Sequence, residues 1–392
     1  MDPIPILPEI LRQIFSYLES RDARRVSQVS RHWYACSLEQ LYKKPYLCKP
    51  RSIHHFLQTL LTPGLESLAA RVRTLTIEWD EDDYSEPVGG CGHAIFAAAA
   101  ARLHLDRPIQ SPGNQALLLL HLLPRLDVLN VALPDHDNAF AAFLAASHEH
   151  ADLPLALRSI RQLSCIWSLY LPGATADMLT TMFRLPRLLT LEVYVAADIS
   201  TVLEADQRRM SQVTNLQIWN LQMKISPLRY ILSIPRALTR LSISGVVGSH
   251  SELIGLQSAL EPVKMTLEVL ELDSIVIGPS VPLLLVRMWP VLRRLRCQLV
   301  MLLGFLGGRG VHSLDGVLPC SLRDLGIKDD RYWHGDDGAL ELVKIVKRKE
   351  QATPLLKRVG YDILGNSELA LRLQSVCADA GVKLVGGGDW SK

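Results

Sequence analysis

Leu238-Thr239-Arg240-Leu241-Ser242-Ile243 places apolar residues at its first, fourth and sixth positions. From Leu241 onward the residues alternate, so Leu241 and Ile243 share one side and Ser242 takes the other, as in a strand of period two. The pattern recurs along the chain. It is seen at Val72-x-x-Leu75-x-Ile77, Leu126-x-x-Leu129-x-Val131, Ile160-x-x-Leu163-x-Cys165, Leu188-x-x-Leu191-x-Val193 and Val213-x-x-Leu216-x-Ile218. It continues at Leu267-x-x-Leu270-x-Leu272, Leu292-x-x-Leu295-x-Cys297 and Leu322-x-x-Leu325-x-Ile327, with a weaker copy at Leu356-x-x-Val359-x-Tyr361. Ala380–Val385 is a candidate terminal strand. From Leu129 onward the copies repeat every 25 to 34 residues. The step from Leu75 to Leu129 is 54, room for a degenerate copy or a large insertion.

Between copies lie helical stretches: Ala176–Phe183, Ser251–Leu260, Val281–Trp289, Gly338–Lys347 and Ser367–Ala378. Pro124, Pro186, Pro235, Pro290 and Pro319 precede strands, where a missing N–H and a fixed φ stop a helix and start a turn. One strand and its returning helix cannot bury their own apolar faces, so neighbouring copies must stack.

Over roughly residues 50–388 the chain resembles leucine-rich-repeat proteins, whose period is about 20–29 residues. The resemblance implies an α/β solenoid. The Asn or Cys that usually follows the strand is mostly missing, with Asn220 in roughly that place in one copy, which predicts an irregular solenoid with looser turns. The competing architecture is a compact α/β domain with a parallel sheet.

The first fifty residues follow another rule. Pro8 suits a first helical turn and Glu9 favours the positive end of the helix dipole. Ile10, Leu11, Ile14, Phe15 and Leu18 then form a broad apolar face at helical spacing. Ser20 is a candidate cap for a second helix with Ala23, Val26 and Val29 as its stripe. A third begins near Trp33, carries Leu38, Leu41 and Tyr42, and ends before Pro45. Three helices in about forty residues are too few to bury this apolar surface alone. Either they dock on the rest of the chain or they bind a partner.

From about residue 4 to 46, without a gap, this stretch resembles an F-box. The resemblance is carried by Leu7-Pro8-Glu9-Ile10-Leu11, Ile14-Phe15-Ser16-Tyr17-Leu18, Arg21-Asp22, and Val26-Ser27-Gln28-Val29-Ser30-Arg31-His32-Trp33-Tyr34. Ala23 stands where leucine is common and Ser30 where cysteine is common. The resemblance implies docking onto a Skp-family adaptor and, through it, a cullin-based ubiquitin ligase. The matching positions are Leu7, Pro8, Leu11, Ile14, Phe15, Leu18, Val29 and Trp33, some for the adaptor and some for the helical core. A Phe15→Asp, Leu18→Asp double substitution is then expected to abolish adaptor binding and spare the rest of the fold.

Composition narrows the function. Hydrophobic residues are 48% and charged residues 21%, which is globular rather than disordered. Lys+Arg 42 nearly cancels Asp+Glu 40, so no global field favours nucleic acid or a membrane surface. The seven cysteines, at 36, 48, 91, 165, 297, 320 and 377, form no C-x-x-C pair and point to reduced thiols in the cytosol or nucleus. The most apolar run, Ala116–Leu123, is far shorter than the ~20 residues of a membrane helix.

In a repeat of this kind the residues between the buried strand positions face the open side. Among them Tyr194, Trp219 and Arg296 are the best candidates for target contacts, since aromatics and arginine dominate binding hot spots. Asp80–Glu86 is acidic and is expected to be a solvated loop. No phosphate-loop or nucleophile-elbow motif is present, and Gly304–Gly310 lacks the lysine and hydroxyl of a phosphate loop. His54-His55, His148-Glu149-His150 and Cys91-Gly92-His93 have the wrong spacing or context for a metal or a catalytic pair. The expectation is a non-catalytic receptor without cofactor or metal, joining an adaptor to an unknown protein target. The alternatives are a leucine-rich-repeat scaffold acting outside a ligase, and an α/β enzyme with a divergent site.

Overall fold

The computed structural model describes residues 6–78, 93–102, 112–132, 144, 154–166, 172–194, 209–219, 225–245, 255–273, 284–303, 313–328, 336–361 and 368–386. Asp80–Glu86, His148–His150, Cys91-Gly92, Asn220 and Gly304–Gly310 lie outside them. The chain forms two compact units, Met1–Ser168 with Asp177–Leu189, and Leu169–Ala176 with Thr190–Lys392.

The first unit opens with three helices, α1 (Pro8–Phe15), α2 (Ser20–Ser27) and α3 (Arg31–Lys43). A short strand β1 (Tyr46–Leu47) follows, unforeseen from the sequence because two residues carry no periodicity. Then come α4 (Pro50–Leu61), β2 (Thr74–Glu78), α5 (His93–Arg102), α6 (Pro112–Leu122), β3 (Val128–Ala132), α7 (Leu155–Ser159) and β4 (Gln162–Ile166). The four strands pair parallel in sequence order, with Leu75 opposite Leu129 and Leu129 opposite Leu163. Direct pairing of β2 with β3 shows that the 54-residue step is an insertion, which carries α5 and α6. A further helix, α8 (Pro172–Phe183), has one end in each unit.

The second unit contains β5 (Thr190–Tyr194), β6 (Asn215–Trp219), α9 (Ile225–Ser233), β7 (Arg240–Ser244), α10 (Leu256–Leu260), β8 (Val269–Asp273) and β9 (Arg294–Gln298). It continues with α11 (Leu299–Leu303), α12 (Leu314–Val317), β10 (Asp324–Lys328), α13 (Asp336–Lys347), α14 (Lys349–Ala352), β11 (Arg358–Tyr361), α15 (Glu368–Asp379) and β12 (Lys383–Gly386). All eight strands are parallel and in sequence order. Leu191, Leu216, Leu241, Leu270, Leu295, Leu325 and Val359 stack in register and are fully buried. The helical stretch expected over Val281–Trp289 does not form over its described part. Leu284–Trp289 is irregular, with Leu284, Val286 and Trp289 buried at alternate spacings unlike a helical face. The apolar run after β9 forms α11 instead, with all five of its side chains buried.

Main-chain bonds just before the strands join neighbouring copies. Before seven of the strands the carbonyl accepts two N–H groups from the next copy. Arg73 O accepts from Asp127 N and Val128 N, and Thr239 O from Glu268 N and Val269 N. Glu268 O, Arg293 O and Arg323 O repeat the device. In three copies a hydroxyl reinforces it. Ser159, Thr266 and Ser321, each just before its motif, donate to the carbonyls of Leu126, Leu238 and Leu292 at 2.8 Å each.

Candidate protein-interaction site

Helix α1 begins at Pro8 after Leu7, whose ψ of 139° is extended, and stops at Phe15 rather than running to Leu18. Leu11 and Phe15 point inward, with 1% and 2% of their surfaces exposed. They form a small core with Cys36, closed by Leu18, Val26 and Trp33. The Phe15 and Trp33 rings lie 5.5 Å apart and tilted, a favourable aromatic geometry. Gln40 on α3 donates through Nε2 to Leu18 O at 2.7 Å, tying the end of α1 to α3.

Two local expectations change here. Ser20 is the first helical residue of α2, and Glu19 occupies the cap position without a side-chain bond. Val29 is not on α2; it lies in the turn after it and is 62% exposed. The capping serine is Ser30, whose Oγ accepts from Trp33 N at 3.2 Å and starts α3 at Arg31. The serine in the common cysteine position therefore has a structural use.

The eight matching positions separate into two groups. Leu11, Phe15, Leu18 and Trp33 build the helical core. Leu7 and Ile14 are exposed, as is Val29, and Pro8 is half-buried. Three further exposed apolar residues belong with them: Ile10, Tyr17 and Tyr34. Ile10 and Ile14 on α1, with Leu7 at its N-cap and Tyr17 in the turn after it, advance by three, four and three residues, a second stripe turned about 100° from the first. An apolar surface wider than the face its own core covers needs further cover. The spacing places Ile10 and Ile14 on one broad face with Leu11 and Phe15; in the fold that face divides, with Leu11 and Phe15 buried and Ile10 and Ile14 exposed.

Residues 8–48 match the F-box-like family model. That stretch is an F-box-like domain, a module for protein–protein interaction. Against the curated proteins the chain has no match.

In the second unit Tyr194 and Trp219 are opposite each other in register at the ends of β5 and β6. Trp219 donates through Nε1 to Glu192 Oε1 at 2.7 Å, which fixes the indole across the two strands. Tyr194 is half-buried and Trp219 is 38% exposed. Arg296 does not join them. It lies on β9, three strand spacings from β6 and four from β5, or roughly 14 and 19 Å at about 4.8 Å each. Among the described residues no carboxylate is within ion-pair distance of Arg296, whereas Arg240 holds Glu271 at 3.0 Å and Lys328 holds Asp273. Tyr194, Trp219 and Arg296 thus share the outward-facing side of the strands but form two separate features.

Among the described residues no group of three or more His, Cys, Asp or Glu side chains could hold a metal ion. His54 is buried with its ring edge-on to Phe96 at 4.7 Å, a packing role. No helix among the described residues is long and apolar enough to cross a membrane.

Proposed function

We propose that this chain is the target-recognition subunit of a Skp–cullin–F-box ubiquitin ligase. The three N-terminal helices dock onto a Skp-family adaptor, and the strand–helix copies form an irregular leucine-rich-repeat solenoid that holds a protein target on its open face. The chain carries no catalytic group of its own in this reading. It works by proximity, raising the effective concentration of target lysines near the charged conjugating enzyme.

The observation that carries the reading is the second apolar stripe of α1. Leu7, Ile10, Ile14 and Tyr17, at helical spacing along and just beyond α1, are between 47% and 82% exposed, and Val29 and Tyr34 are exposed as well. Leaving such apolar surface in water is unfavourable by roughly 25 cal/mol per Å2. An adaptor that covers it recovers that energy.

The test is co-expression with a Skp-family adaptor. The wild-type chain is expected to co-purify at one-to-one stoichiometry, and Ile14→Asp is expected to lose the adaptor while keeping its circular dichroism and Tm. A folded, monodisperse wild-type chain that fails to co-purify would turn the helices into a structural cap and favour a scaffold outside a ligase.

A further inference from the structure

We propose that a cleft of about 780 Å3 in the second unit binds a phosphate-bearing anion of two or more charges, held by Arg209, Arg229 and Arg236. The proposal is independent of the adaptor reading. The three arginines come from α9 and from the segments leading into β6 and β7, and they line one concavity with Tyr230, Glu261 and Met265. Among the described residues no carboxylate lies within ion-pair distance of any of the three. Glu261, the acidic residue of the wall, is already engaged by Lys264. The cleft therefore gathers like charges that the described surroundings do not neutralise. Such an arrangement favours a multivalent anion, and guanidinium forks fit phosphate oxygens two at a time.

Helix ends do not account for these cations. The carbonyls at the end of α9 are satisfied by main chain, with Arg209 N donating to Ser233 O at 3.0 Å and Ser211 N to Ile234 O at 3.2 Å. Arg236 N closes the same frame onto Ser211 O at 3.0 Å. The Arg236 side chain donates through Nε to Arg209 O at 2.9 Å, a bond that does not use its two terminal nitrogens. Arg209 is also the one non-glycine among the described residues with positive φ, at 56°. A left-handed backbone is strained for a branched-off Cβ, and such strain gathers at functional positions. Glycine or asparagine would fit this backbone better, so packing alone does not call for arginine. The volume suits a ligand of small-molecule size.

The test is thermal denaturation of the full chain with inorganic pyrophosphate, at ionic strength held constant with sodium chloride. A saturable rise in Tm is expected. Arg229→Gln, on an exposed helix face, should weaken the apparent affinity on the order of tenfold by removing a charged hydrogen-bond donor. Arg209→Gly should weaken it similarly while leaving the ligand-free Tm equal or higher, because glycine accepts positive φ without strain. This opposite movement of stability and affinity is not produced by a merely structural arginine. Equal affinity in wild type and both variants, or no saturable rise beyond that of chloride, overturns the proposal. A peptide carrying one phosphoserine between neutral flanks then identifies the source. If it displaces pyrophosphate and its unphosphorylated form does not, the anion is protein-borne. If pyrophosphate resists displacement, the ligand is a free diphosphate.

Discussion

Asp324 shows how single side chains tie the strands together. It faces Arg294 on β9 and Arg358 on β11 in register. Arg358 grips it with two bonds, Nε to Oδ1 at 2.6 Å and Nη2 to Oδ2 at 2.9 Å, and Arg294 Nε is 3.5 Å from Oδ2. Burial pushes the carboxyl up, but the two guanidinium groups outweigh it and hold Asp324 below its ordinary value of 3.8. A depressed folded-state value means the stabilisation is present above about pH 3.8 and is lost as pH falls through the lower folded value. Asp324→Asn is therefore expected to flatten the acid limb of the stability curve below pH 4. At neutral pH it should cost about 1–2 kcal/mol, because two partly exposed arginines lose their acceptor. Urea titrations at pH 3 and pH 7 check both parts. Cys377 offers a second residue-scale expectation. Burial pushes its thiol up to about 11, so it should resist alkylation at pH 8 while exposed Cys320 reacts. Labelling followed by peptide mass analysis distinguishes them.

At the scale of elements, α1 carries two apolar stripes with different duties. Phe15 is a core residue, so the Phe15→Asp, Leu18→Asp substitution expected to isolate adaptor binding would instead unfold the helical module. Phe15→Ala is expected to cost about 3–5 kcal/mol, while Ile14→Ala on the outer stripe should cost well under that. Comparing their Tm values is a direct measurement of which stripe faces inward. Helix α3 depends on its cap. Ser30→Ala removes the acceptor for Trp33 N and should cost about 1 kcal/mol. A loss much smaller than this would mean that α3 is held by the Phe15–Trp33 contact and not by its first turn. The hydroxyls of Ser159, Thr266 and Ser321 act likewise between copies. Their position just before the motif was visible in the sequence, but three serine or threonine residues at one offset stand out only once the carbonyls they reach are known.

Over the whole molecule, the outward stripe of α1 and the Tyr194–Trp219 pair belong to different elements in different units. If the receptor reading holds, their functions are separable. Trp219→Ala should leave adaptor co-purification unchanged, and Ile14→Asp should leave the indole–Glu192 hydrogen bond intact, visible as an unshifted indole N–H resonance of Trp219. A Trp219→Ala chain that loses the adaptor would show that the variant perturbs the fold at large, and the separation would fail.

The leucine spacing determined the strands by itself. Ten copies of one apolar pattern admit few arrangements, because period-two alternation with leucine at fixed offsets can only be buried by stacking in register. The order and spacing of Leu7 to Tyr34 likewise determined the N-terminal module, since three amphipathic helices leave their mark in sequence at 3.6-residue spacing. What periodicity cannot carry was decided by the tertiary structure. Which of Leu7, Leu11, Ile14 and Phe15 faces inward depends on where α3 lies, and residues of equal hydrophobicity give no hint of it. That Leu284–Trp289 is irregular while Leu299–Leu303 is helical, though both carry buried apolar side chains, is not marked in their composition. That Trp219 meets Glu192 while Arg296 stands three strands, roughly 14 Å, from Trp219 depends on strand order, which sequence distance does not encode. The gathering of Arg209, Arg229 and Arg236 has the same origin: residues from successive copies become neighbours only when the chain returns on itself.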